Sequence, residues 1–147
     1  MRIGLINLLG LAVVVLMLIP NIIYAIKNRG GKNLCTNKLM NLTEQVGRYG
    51  CIVLMCLPLG IRKFGFHTLA DLFIYLGGNV MLLAAYWVVF ALYLKKKTPR
   101  RAMALAVIPC CIFLLCGITL WHWLLVVFGA VFARAHIYVT KNNLPEE

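Results

Sequence analysis

The sequence predicts an all-α protein, a polytopic bundle of transmembrane helices that crosses the bilayer five times. Three observations carry that reading. Of its 147 residues 63% are apolar and 13% charged, with a mean hydropathy of +0.89, too little polar surface to cover a soluble domain of this size. Long uncharged runs alternate with short basic segments. The last such run, Ala102 to Ala133, is too long for one crossing of ~20 residues, and it contains a polar and interfacial cluster, Gly117 to Trp123, at which it can turn back. The chain reads as a single domain with spans over about 3–26, 44–61, 71–94, 102–118 and 121–139.

The first span, Ile3 to Ile26, is too long for a signal peptide and no small-residue cleavage site follows it. Pro20 removes one helical hydrogen bond, so a kink is expected there, with the freed carbonyl satisfied by Asn21 or by a neighbouring helix. Lys27 to Thr43 is polar and basic and reads as a loop. The second span is the least apolar, because Glu44 to Arg48 must supply its first turns. Glu44 and Arg48, four apart, share a helical face and can pair near the headgroups. Pro58 and Gly60 close it, and Arg62-Lys63-Phe64-Gly65-Phe66-His67 form a short amphipathic link.

The third span, Leu72 to Leu94, is interrupted only by Gly77-Gly78-Asn79; the glycines let another backbone approach closely, and Asn79 is expected to bond across helices. Lys95 to Arg101 stops it abruptly. The final run then forms a hairpin, with Trp121 and Trp123 suited to the interface at its turn, and Arg134 able to snorkel to the opposite surface. A four-span alternative treats Ala102 to Val139 as one long tilted helix.

Counting bases sets the expected orientation. With the basic loops and the tail inside, all of the 15 bases except Arg2, Arg62 and Lys63 lie in the cytoplasm, which puts the amino terminus outside and the carboxyl terminus inside the cell membrane. Tyr24, Tyr93 and Tyr138 then share the inner rim, and the two tryptophans the outer one. The net charge of +11 therefore records orientation and an affinity for anionic headgroups, and nucleic acid is not an expected partner.

Function classes narrow by exclusion. The six cysteines contain no C-x-x-C, and most fall in apolar runs where a thiol is a poor thiolate, so they read as packing residues. No H-E-x-x-H, G-x-S-x-G or phosphate-binding glycine loop occurs, and no cofactor is called for. The proposed inner rim gathers Glu44, Arg48, Arg134 and His136; a carboxylate between two guanidinium groups could tie helices together or recognise a phosphate. At the outer rim His67, Asp71 and His122 form only a weak metal candidate, since the sequence does not bring His122 to the other two.

Ile19 to Lys27, Glu44 to Cys51 and His136-Ile137-Tyr138, together with the hairpin ending, resemble a group of small multispan bacterial membrane proteins. The resemblance implies fold and compartment, a bacterial inner membrane, and carries no activity onto any residue. The leading expectation is a non-enzymatic component that handles a solute or lipid, or an accessory subunit, assembled with itself or within a larger complex. The alternative is a membrane enzyme acting on lipid headgroups at the cytoplasmic rim.

Overall fold

A computed structural model describes residues 6–57, 59 and 65–144. Among the described residues five helices follow one another: α1 (Leu8–Lys27), α2 (Lys38–Cys56), α3 (Leu69–Lys95), α4 (Pro99–Thr119) and α5 (Trp123–Asn142). Among the described residues α1, α3, α4 and α5 are long and apolar enough to cross a membrane. The expected second span is the exception. At 19 residues α2 has the length, but Lys38, Glu44, Gln45 and Arg48 keep it more polar than a spanning helix usually is.

Caps explain where the boundaries differ from expectation. Asn7 starts α1, its side chain accepting from the Gly10 amide. α2 begins upstream of Glu44, because Asn37 caps the Met40 amide and recruits the polar segment 38–43 into the helix. It also ends at Cys56, short of the expected 61. Pro58, Gly60, Arg62, Lys63 and Phe64 lie outside the described residues, as do Arg2 and the acids Glu146 and Glu147. Thr68 and Asp71 form a reciprocal capping box at the head of α3. Thr98 caps α4 with Pro99 in its first turn, so only three residues separate α3 from α4. Arg101 reaches back to the carbonyls of Leu92 and Lys96 at 2.7 and 3.0 Å, closing the end of α3.

Contacts along the helices fix their directions. Asn7 donates to the carbonyls of Met55 and Cys56, so α1 begins where α2 ends. Trp87 meets Leu16, Tyr86 meets Asn21 and Lys97 meets Asn28, so α1 and α3 run parallel. α5 lies antiparallel to α2, since Gly47 abuts Phe132 and Gly50 abuts Phe128. Thus α1, α3 and α5 point one way, and α2 and α4 the other.

The hairpin at the end of the chain is present, and the continuous helix of the four-span alternative is not. α4 closes in a Schellman arrangement: the His122 amide donates to Gly117 at 2.8 Å and the Trp121 amide to Ile118 at 3.1 Å. The residue this motif holds left-handed is Trp121, with φ of 55°, where glycine is usual. His122, fully buried, then caps α5 by accepting from the Leu125 amide through Nδ1. Gly117 lets the two helices close, because a Cβ there would stand 2.8 Å from Val126 Cγ2.

Two expectations about polar groups in apolar helices resolve into specific bonds. The Leu16 carbonyl, which loses its helical donor because Pro20 has no N–H, accepts from the Trp87 indole at 3.1 Å; Asn21 instead donates to Met17. Asn79 bonds across helices, accepting from the Cys116 thiol at 3.4 Å. Of the glycine pair, only Gly78 is used for close packing, against Leu115, while Gly77 faces open space.

A charged cleft inside the bundle as candidate functional site

Glu44 sits in the second turn of α2 and is 5% exposed. A carboxylate this deep must be paired, because removing an isolated charge from water costs several kcal/mol. Its Oε1 receives both available partners: the Arg48 guanidinium, one turn along the same helix, and His136 Nδ1 across the interface at 2.9 Å. Close approach of α2 and α5 makes the second contact. At Gly47 a Cβ would stand 2.9 Å from Phe132 Cβ and 3.0 Å from its Cα, so only glycine lets the helices meet this tightly one turn from Glu44. His136 is held in turn by stacking on Phe132, with ring centroids 4.8 Å apart.

This cluster lines a cleft of about 490 Å³ to which all five helices contribute. The volume falls in the range of small-ligand sites. The cleft occupies the half of the bundle where α1, α3 and α5 end, and it reaches the end of the bundle at Tyr93, Ala102 and Asn143. Much of its wall is aromatic: Tyr24, Tyr86, Phe90, Tyr93, Phe113 and Phe132. Tyr86 donates to Asn21 Oδ1 at 3.0 Å, and Tyr24 packs against Phe90 and Tyr93. Pro109 is also in the wall, and having no N–H it leaves the Leu105 carbonyl beside it without its ordinary helical donor. Arg48, 38% exposed at its side chain, is the accessible cation of the cleft. The arrangement can take up a polar or charged head while flat rings surround it.

Three of the four expected rim residues come together here: Glu44, Arg48 and His136. Arg134 does not. Two residues from His136 on a helix is about 200° of rotation, so Arg134 points outward and is exposed, and the second partner of the carboxylate is the imidazole rather than a second guanidinium. The other candidate residues lie at the opposite end. His67 is exposed and stands 5.3 Å, ring to ring, from Trp121; Asp71 is engaged by Thr68; His122 is the buried cap of α5. Among the described residues no three His, Cys, Asp or Glu side chains group closely enough to hold a metal ion. The cysteines are free, and Cys51, Cys110 and Cys116 are buried in the core.

The aromatic wall was not anticipated, although its signal is present as spacing. Tyr86, Phe90 and Tyr93 on α3, and Phe132, His136 and Val139 on α5 with Asn143 capping its end, repeat at three- and four-residue intervals on one face each. In a chain this apolar, such stripes are indistinguishable from lipid-facing ones until the helices are assembled. No protein-family model matches the chain, and no curated protein or solved structure matches it either.

Proposed function

We propose that the chain is a multi-pass protein of a bacterial inner membrane, amino terminus outside and carboxyl terminus in the cytoplasm, that holds the polar head of a membrane amphiphile in its central cleft without altering it chemically. The observation that carries this reading is the cleft: one buried charge cluster, ringed by aromatic side chains, in a space built by every helix. Four long apolar helices support the membrane setting. α2 counts as a fifth crossing in this reading, because it runs the length of the bundle against α1 and α5, and its one acid is buried among them. The end that the cleft reaches also carries Lys27, Lys38, Lys95, Arg101 and Lys141, which favours the cytoplasmic side and contact with anionic headgroups.

The test is native mass spectrometry of the gently solubilised full chain. Bound lipid should co-purify with the wild type and be largely lost from Arg48→Gln protein of the same fold and oligomer size. Retention unchanged by that substitution would remove the cleft as the binding site. A reporter fused after Glu147 should be active in the cytoplasm, and activity only in the periplasm would overturn the orientation.

One observation favours a second reading, an enzyme acting on headgroups: the carboxylate–imidazole pair of Glu44 and His136 at 2.9 Å could move a proton. Release of a labelled headgroup by the wild type and not by His136→Gln would establish it in place of the first.

A further inference from the structure

We infer that the head held in the cleft is zwitterionic, carrying an anionic phosphate or carboxylate that meets Arg48 and a protonated amine that meets Glu44. This deepens the amphiphile reading and rests on it.

Glu44 receives both of its bonds on a single oxygen. Arg48 and His136 converge on Oε1, and no donor among the described residues reaches Oε2. Glu44 is nine-tenths buried in the wall of the cleft, and an oxygen of such a carboxylate without a donor is an acceptor open to one from a ligand. Arg48 is the mirror case. Among the described residues its only bond is to Glu44, which leaves the rest of its five N–H donors available for an anion. Glu44 and Arg48 are adjacent on one face of α2, so a head with both poles a few ångströms apart can satisfy both.

Charge balance gives the same answer. Glu44 is the only acid and Arg48 the only Lys or Arg among the described residues of the wall, and their charges cancel. A net-anionic head would bring a second negative charge against Glu44, and a net-cationic one would do the same to Arg48. A zwitterion leaves neither charge opposed. The aromatic faces of Tyr24, Tyr86, Phe90 and Tyr93 add an environment that attracts an ammonium group and is indifferent to phosphate.

The ligand chemistry, phosphate plus primary amine, could come from a phosphatidylethanolamine-type lipid or from a free solute with the same head. The experiment offers the full-length protein in detergent equimolar phosphatidylethanolamine, phosphatidylglycerol and N-acetylated phosphatidylethanolamine of matched acyl chains, read by native mass spectrometry. The amine lipid should be retained ~10-fold over each of the other two, the expected worth of one charge-assisted bond. Glu44→Gln should erase that preference, and Arg48→Gln should weaken all three. The N-acetylated lipid keeps the proposal testable on wild-type protein, should either variant fail to fold.

Equal or stronger retention of phosphatidylglycerol or of the N-acetylated lipid overturns the zwitterion while leaving an amphiphile site standing. Retention of no lipid, with no binding of glycerophosphoethanolamine, removes both readings. Displacement of the retained lipid by glycerophosphoethanolamine at comparable concentration supports the same chemistry and names a free solute as its source; failure to displace names the lipid.

Discussion

Gly47→Ala changes one hydrogen to a methyl group, and the geometry says it should loosen the whole α2–α5 interface. The new Cβ would sit 2.9 Å from Phe132 Cβ and 3.0 Å from Phe132 Cα. Carbon atoms settle at ~3.5 Å or more, so the helices must part by ~0.6 Å, and backbone rather than a flexible side-chain end is in the way. One turn along, the same displacement would stretch the 2.9 Å contact between Glu44 and His136 to ~3.5 Å, past the useful range of a hydrogen bond. Overpacking costs ~1–3 kcal/mol and losing a bond to a charged group ~1.5 kcal/mol, while replacing a helical glycine by alanine returns up to ~1 kcal/mol. The net loss is about 1.5–3.5 kcal/mol, and at ~2–4 °C per kcal/mol this lowers the melting temperature by roughly 3–14 °C. Gly77→Ala is the control: nothing lies within 4 Å of its Cβ, so only the propensity gain remains. Thermal unfolding of both variants in one detergent, followed by circular dichroism, checks the pair. If Gly47→Ala melts at or above the wild type, the close-approach argument is wrong.

Other substitutions probe other bonds. Trp87→Phe removes the donor to Leu16 and should destabilise by ~1 kcal/mol, and by less in a Pro20→Ala background, where the helix regains its own N–H; the melting temperatures of the four proteins in that cycle decide it. Glu44→Gln strips the counter-charge from Arg48 and weakens the bond to His136 and should lower stability by ~1.5–3 kcal/mol, whereas Arg134→Gln, on the outward face, should stay within ~0.5 kcal/mol in the same thermal assay. Trp121→Gly relieves a left-handed backbone worth ~1–2 kcal/mol, set against the ring contacts to His67 and Trp123, so the hairpin should tolerate it without loss of melting temperature; a marked drop would show that the ring packing outweighs the strain.

The helices and the turn between α4 and α5 were legible because they follow from local rules. Apolar runs must be helical where no water is available to satisfy the backbone, and Gly117 to Trp123 was the only interruption in a run too long for one crossing. The pairing of Glu44 with Arg48 was legible for the same reason, since a spacing of four fixes a shared face. Caps moved the boundaries, above all at α2, where one asparagine outweighs the polarity of the six residues after it.

What the sequence could not decide is how the five rods are rotated about their axes. By position along the chain Arg134 was expected to meet Glu44, but His136 lies as close in sequence and only helical phase separates the two: Arg134 is exposed on the outward face, and His136 meets the carboxylate. That phase is set by Gly47 and Gly50 seating α2 on Phe132 and Phe128. In a chain with a polar outer face that face would have announced it, but here the outward faces are as apolar as the core, so the hydrophobic pattern carries no sign of which side is inside. Steric fit between backbones decided the rotation, and with it that the aromatic stripes enclose a cleft.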